Sequence, residues 1–328
     1  MRNKILVTGG SGFVGANLVR NLYNSNNQIT IYSLKGHIHP FLKGLNIKIK
    51  EGDIRDYNSV LNAIKGHDYV YHLAALTYNT LDRKKEVFSV NIDGTENVMK
   101  ACLACKVKKV VHVSTCGVLG FSKKKNVLLN ESNNLDFKDN IYAQSKKLSE
   151  DVVKKYAAKG LNATIASPSF VIGAGEIDPA RYVLCNSISK GRIKFTFPGS
   201  GGTVGVEDLV EGIILTMEMG KKGEKYILSN VNVSLYDRYN LIARLLNKPK
   251  IKFVIPRYAY YVMYMLGAIA QKFLRNPAIS TEAVRWYFNY RNFDNTKAQK
   301  ELGWRPKTPL KESIKRAIDY YKKIGVLE

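Results

Sequence analysis

Tyr142 and Lys146 stand four positions apart, which puts both on one face of any helix that holds them. A lysine ammonium beside a phenol favours the phenolate and lowers a reference pKa of about 10. A tyrosine tuned in this way can give a proton to a carbonyl or take one from an alcohol. The two residue types meet at this spacing often by chance, so position decides. Upstream an apolar run ends in Val113-Ser114-Thr115, whose hydroxyls are expected to face the same crevice. A second chemical feature opens the chain, Gly9-Gly10-Ser11-Gly12-Phe13-Val14-Gly15. Glycine suits such a turn where a Cβ would strain the backbone, where a pyrophosphate approaches the main chain, and where helix packs closely on strand. The free N–H groups of the following helix then meet the phosphates. Lys146 would also reach the nicotinamide ribose hydroxyls of a dinucleotide held there.

These residues need a parallel sheet to bring them together, and the pattern supplies one. Lys4–Thr8 reads as a buried strand, and Val14, Leu18 and Leu22 follow at helical spacing. Further strands are expected at Ile29–Tyr32, Ile47–Lys50, Tyr69–Leu73, Val110–Ser114 and Ala163–Ser167. Helices are expected between most of them, at Tyr57–Lys65, Val87–Cys105 and Tyr142–Lys159. Such alternation implies an α/β fold, a Rossmann-type doubly wound parallel sheet. After about residue 170 glycines punctuate loops. Helical patterns then run over Val206–Met219, Leu235–Leu246, Tyr258–Leu274 and Leu310–Ile324. We therefore expect a dinucleotide-binding domain over residues 1–168 and a smaller, helix-rich, substrate-binding part over 169–328, whose strands can interleave with the first.

Composition narrows the setting. With 328 residues, 45% hydrophobic and 24% charged, the chain is globular rather than disordered. Its four cysteines are too few for a disulfide scaffold and suit a cytoplasmic protein. Cys102 and Cys105 form C-x-x-C within a helical pattern and lack a second ligand pair, so no metal is expected. The net charge of +24 favours anionic partners. No nucleic-acid-binding motif accompanies it, and none is expected as a partner. Tyr258–Ala270 is apolar but shorter than the roughly 20 residues of a membrane span. It reads as a core or dimer-packing helix. With Lys272 and Arg275 beside it, it also reads as a surface for peripheral membrane contact.

As a set, the motifs resemble the extended branch of the short-chain dehydrogenase/reductase family, within the NAD-dependent epimerase/dehydratase superfamily. The resemblance covers essentially the whole chain and runs in family order. After Gly9, Gly12 and Gly15, with Phe13 and Val14, come Gly52-Asp53-Ile54, similar to the acidic element that meets adenine, and His72-Leu73-Ala74-Ala75 beneath the cofactor. Asn91 with Gly94-Thr95, the segment Ser114-Thr115 to Gly120, Tyr142 and Lys146, then Pro168 and Val171 follow. The ending Leu302-Gly303-Trp304-Arg305-Pro306 is also similar. The resemblance implies a catalytic set of Thr115, Tyr142 and Lys146, with Asn91 supporting the cofactor pocket, and a homodimer by analogy.

Dehydratases of this family carry Thr-Asp-Glu where this chain has Thr115-Cys116-Gly117, so water elimination is not expected. The arginines that grip a nucleotide-sugar diphosphate are absent from Pro198–Gly205 and from Ser167. Arg181, Arg192 or Arg285 could supply that grip from elsewhere. The nearest likeness is to dihydroflavonol-reductase-like and 3β-hydroxysteroid-dehydrogenase-like enzymes. The leading expectation is a dehydrogenase or reductase of a small, fairly apolar alcohol or ketone. An NAD-dependent sugar epimerase and a non-catalytic, NAD(P)-sensing protein stay as alternatives. The end of the second strand, Ile31-Tyr32-Ser33-Leu34-Lys35, offers no carboxylate for a ribose 2′-OH. Ser33 and Lys35 could instead accept a 2′-phosphate, so NADP is expected in preference to NAD.

Overall fold

The structure is a computed structural model that describes residues 3–24, 27–77, 81–134, 140–274 and 279–327. In chain order come β1 (Lys4–Thr8), α1 (Phe13–Asn24), β2 (Gln28–Ser33), β3 (Lys48–Glu51), α2 (Tyr57–Ile64), β4 (Tyr69–His72), α3 (Lys84–Phe88), α4 (Gly94–Ala104), β5 (Lys109–Val113), α5 (Ile141–Ala158) and β6 (Ala163–Pro168). The second half adds β7 (Phe170–Ile172), α6 (Pro179–Ser189), β8 (Phe195–Thr196), β9 (Ser200–Gly205), α7 (Val206–Met219), β10 (Lys225–Leu228), β11 (Val231–Ser234) and α8 (Leu235–Leu245). It ends with β12 (Phe253–Val254), α9 (Ala259–Phe273), α10 (Thr281–Phe288), β13 (Tyr290–Arg291), α11 (Thr296–Leu302) and α12 (Leu310–Lys323).

Apolar runs too continuous for a half-solvated strand form the central sheet, because a parallel sheet is covered on both faces. Among the described residues seven strands pair in the order β3-β2-β1-β4-β5-β6-β10. All of these pairs are parallel. The chain winds outward from β1 in one direction and restarts at β4 in the other. This reversal opens a crevice at the carboxyl ends of β1 and β4, where ligands of doubly wound folds bind. α1 and α7 cover one face through Leu18, Val19, Leu209 and Ile213, while α2, α4 and α5 cover the other through Val60, Val98, Met99 and Val153.

In the second half, β10 joins the central sheet as an edge strand, with Lys225 opposite Ile165. The glycine-rich stretch expected as loop is strand β9, which pairs with β7, β11 and β13. Glycine serves close packing there: a Cβ on Gly202 would stand 2.3 Å from Ser229 Oγ. The helix expected over Val87–Cys105 is broken by a π-turn at Ser89–Asp93 between α3 and α4. Such turns concentrate at functional sites. α9 is not a core helix, since Gly267 alone among its residues is buried.

Candidate active site

The glycine turn follows β1 directly. Gly9 adopts φ +69°, a left-handed conformation that favours glycine. A Cβ there would lie 2.6 Å from Ala74 N, and one on Gly15 would lie 2.1 Å from Gly9 O. Gly9 thus lets the loops after β1 and β4 cross, and Gly15 lets α1 pack onto the turn. Gly12 differs, because a Cβ there would meet only Gly9 O, at 3.4 Å, and otherwise open space. That space lies before the first-turn N–H groups of α1, at Phe13 and Val14, which have no acceptor within the helix. An open cradle at the positive end of a helix fits a dinucleotide pyrophosphate.

Leu73, Ala74 and Ala75 form the loop after β4. The Leu73 N–H donates to Thr8 O (3.0 Å) and the Ala74 N–H to Thr8 Oγ1 (3.3 Å). Asn91, carried by the π-turn and 1% exposed, holds the same loop. Its Oδ1 accepts from Leu76 N–H (2.8 Å), and its Nδ2 donates to Leu76 O (2.9 Å) and Ser145 Oγ (2.8 Å). Ser145 in turn donates to Tyr142 O (2.8 Å). Asn91 therefore links the loop after β4 to the helix that carries Tyr142.

Asn140 starts that helix, its side chain accepting from Ala143 N–H (2.6 Å). Tyr142, Lys146 and Glu150 then recur every four residues along α5. Lys146 is buried, and its Nζ donates to Val113 O (2.8 Å) and lies 3.2 Å from His112 Nε2. Burial pulls this lysine from 10.5 down to about 7, while Glu150 pulls weakly upward. His112 is also buried, which holds its ring neutral, with Lys146 and His72 adding to the effect. His72 is pushed down to about 3 by burial and then by Lys146. Its tautomer follows from the bonds around it. Thr95 spends its hydroxyl proton on Asn91 O (2.6 Å), so it accepts from His72 Nε2–H (3.0 Å), and Thr8 donates to Nδ1 (2.7 Å). Lys146 thus stands over a neutral, packed histidine pair rather than over a counter-ion.

The depressed lysine makes the stability of the protein without cofactor depend on pH. Between pH 7 and about 10 the unfolded chain binds a proton at residue 146 that the native state lacks, so this group's contribution makes stability rise with pH. Lys146→Met removes the contribution. The variant is expected to melt higher than the wild type at pH 7, with the gap narrowing at pH 9. Thermal unfolding at the two pH values checks this, and a constant gap contradicts it.

Thr115 and Ser114 part company. Ser114 is buried and donates to Glu150 Oε1 (2.6 Å), so its hydroxyl does not face the crevice. This corrects the expectation that both hydroxyls do. Thr115 keeps its Oγ1 at the sheet edge, where it accepts from Gly117 N–H (3.1 Å) and retains its proton. The segment borders a pocket lined by Gly117, Gly120, Asn140, Glu282, Trp286 and Arg291, with Arg285 beside them. Arg291 is buried, stacks on Trp286, and donates through Nη2 to Trp286 O (3.2 Å), leaving Nε without a partner. Burial and the neighbouring Arg238 depress its pKa. Arg238, also buried, shares a hollow with Phe13 and Val171, which follows Pro168 into β7. Arg192 is exposed ahead of β8, and the side chain of Arg181 lies outside the described residues.

Just after β3, Asp53 is held below the usual carboxylate range by hydrogen bonds from Arg55. The Tyr32 hydroxyl donates to Asp53 O (3.1 Å), and Ile54 packs under Gly94. Ser33 ends β2 and Lys35 is exposed. A carboxylate does reach this edge, contrary to the local reading of strand two. Glu51, at the end of β3 and opposite Ser33, accepts from Gly36 N–H (3.2 Å). Cys102 and Cys105 sit on and just after α4, and no group of metal-binding side chains occurs among the described residues.

Glu150, His112, Arg238 and Arg291 were missed by sequence reasoning. Glu150 alone had a signal, one turn beyond Lys146. The others depend on packing between distant segments.

Residues 5–232 match the model of the NAD dependent epimerase/dehydratase family. The chain is 27% identical over 330 residues to sterol demethylase protein B of Methylococcus capsulatus, covering 98% of this chain and 99% of that one. It is 26% identical to 3beta-hydroxysteroid-dehydrogenase/decarboxylase isoform 2 of Arabidopsis thaliana, covering 96% of this chain and 61% of that one. The fold matches that of DesIV, a dTDP-glucose 4,6-dehydratase of Streptomyces venezuelae solved with NAD bound, with a TM-score of 0.80 at 21% identity over 100% of this chain and 99% of that one.

Proposed function

The chain belongs to the NAD dependent epimerase/dehydratase family, and from that membership we propose a dehydrogenase or reductase acting on a secondary alcohol or ketone of a fairly apolar substrate. The observation that carries this reading is Tyr142 and Lys146 on one face of α5, with Lys146 bonded to the carbonyl of Val113 just before Thr115. A nicotinamide cofactor, when bound, supplies or accepts the hydride. Gly9, Gly12, Gly15, Phe13 and Val14 would hold its pyrophosphate, and Asp53 and Ile54 its adenine. Tyr142 gives or takes the proton at the substrate oxygen. Thr115 donates a hydrogen bond to that oxygen. Lys146 holds the ribose and, when protonated, favours the phenolate of Tyr142. Turnover of a ketone panel, followed as loss of reduced cofactor, tests the reading. Isomerised sugar with no net redox change would replace it with the epimerase alternative.

Preference for NADP(H) rests on Ser33 and Lys35, and Glu51 opposes it by placing a negative charge near a 2′-phosphate. Glu51→Gln is expected to raise the ratio of NADPH to NADH affinity severalfold, read by fluorescence titration. An unchanged ratio would remove Glu51 from cofactor selection, and equal wild-type affinities would overturn the preference itself.

Arg291 favours a second reading, in which the substrate carries a carboxylate β to its alcohol. A buried guanidinium with a free donor suits such a group, and the names of two relatives speak of decarboxylation and demethylation. Removal of hydride and proton would leave a β-keto acid, which loses carbon dioxide to give the ketone. Arg291→Leu should then raise KM for the hydroxy acid and leave it unchanged for the parent alcohol. Equal effects on both would reject it.

A further inference from the structure

We propose that the outer face of α9, together with the basic segments beside it, docks on an anionic lipid bilayer. The inner face of this helix is already satisfied by α10. Tyr260 packs edge-on against Phe288, Tyr264 Oη accepts from Arg285 Nη2 (2.7 Å), and Gln271 Oε1 accepts from Thr281 N–H (3.0 Å). Gly267 brings the helix onto Ser280, since a Cβ there would stand 3.0 Å from the Ser280 carbonyl carbon. The opposite face carries Tyr258, Tyr261, Met265, Leu266, Ile269 and Phe273, each more than half exposed. They recur every three or four residues, so they form one continuous stripe. A soluble monomer seldom leaves such a stripe in water.

Charge identifies the occupant. No Asp or Glu occurs between Asp237 and Glu282, a stretch with eight Lys or Arg residues that includes all of α9. None occurs between Asp178 and Glu207 either, a stretch with four. The two stretches meet in space, because β8 pairs with β12 and sets Phe195 opposite Phe253. Both rings are exposed, and so are Lys190, Arg192, Lys194, Lys248, Lys250 and Lys252 around them. Of the charges at the ends of α9, Arg257 and Lys272 are exposed, and Arg275 lies outside the described residues.

A second copy of this chain would bring the same positive field against itself, and like charges across an isologous contact repel. An anionic bilayer supplies both the negative surface and the apolar interior. α9 has 15 residues, about 22 Å at 1.5 Å per residue, against a hydrocarbon core of about 30 Å. No helix among the described residues is long and apolar enough to cross a membrane. α9 therefore lies in the interface plane, with Tyr258 and Tyr261 at headgroup level. α10 beneath it contributes Glu282, Arg285 and Trp286 to the pocket beside Gly117, so docking would place that pocket near the lipid.

The test is co-sedimentation of the full chain with vesicles of phosphatidylcholine alone or containing roughly 30% phosphatidylglycerol. It needs no turnover, so it stands apart from the catalytic reading. Binding to the anionic vesicles is expected at low salt, weakening at high salt, with little binding to the neutral ones. Leu266→Asp/Ile269→Asp and Lys250→Glu/Lys252→Glu should each lose about tenfold in affinity while keeping the wild-type melting temperature, since all four side chains are exposed. Absence of binding at low salt overturns the proposal, as does unchanged binding by the Leu266→Asp/Ile269→Asp variant. A dimer in analytical ultracentrifugation that this variant dissociates, without vesicle binding by the wild type, assigns the face to a second copy instead.

Discussion

Tyr142→Phe is expected to lower kcat by about 10²- to 10⁴-fold, the range for loss of a positioned general acid or base, and to leave dinucleotide affinity within about twofold. Only the phenolic oxygen is removed. The ring remains, and so does the bond from Ser145, which goes to the backbone carbonyl of residue 142 rather than to its hydroxyl. Asn91 therefore still ties α5 to the loop after β4 through Ser145 and Leu76. Steady-state turnover and cofactor titration on the same preparation separate the two quantities. A variant that loses both together would show that Tyr142 shapes the dinucleotide site, and one that keeps turnover would end its role in proton transfer.

Glu150→Ala is expected to cost stability, by about 3–5 kcal/mol, because it leaves a cation buried without its partner. Glu150 is fully buried and bridges two elements, with Oε1 accepting from Ser114 and Oε2 from Lys225 Nζ at 2.9 Å. Lys225 is 5% exposed. The double variant Glu150→Ala/Lys225→Met should recover much of the loss, since replacing a whole buried pair by apolar groups is often neutral. Urea unfolding of the two single variants and the double one measures the coupling. Additive losses would mean that the two charges do not depend on each other. A loss of this size matters, since domains have only about 5–15 kcal/mol in all.

The first half of the fold was legible because its strands are continuous apolar runs bounded by helical periodicity, with little room for another reading. β1 and the register of α7 appear where the pattern placed them. β8, β12 and β13 are two-residue strands, too short to leave a period. β9 was hidden because Gly201 and Gly202 read as loop in isolation, whereas Gly202 serves the close approach of Ser229 and Ser169. The same division holds in the site. Tyr142 and Lys146 lie one turn apart on a single helix, a relation that sequence displays. Glu51 ends β3 and Gly36 lies in the turn after β2, so their contact appears only once β2 and β3 are in register.

Asp208, near the start of α7, fastens the end of the chain. It accepts from Lys307 N–H (3.0 Å) and Thr308 N–H (3.1 Å), while the indole of the fully buried Trp304 donates to its carbonyl (2.9 Å). These bonds span 96 to 100 residues. On a ribosome, Asp208 would emerge well before the residues that satisfy it. α7 would then sit on the nascent sheet with an unmet buried carboxylate and a vacant tryptophan socket, open to mispairing or chaperone capture. Completion of the native state thus waits on residues 304–308, and a chain shortened before Trp304 would lose far more than α12.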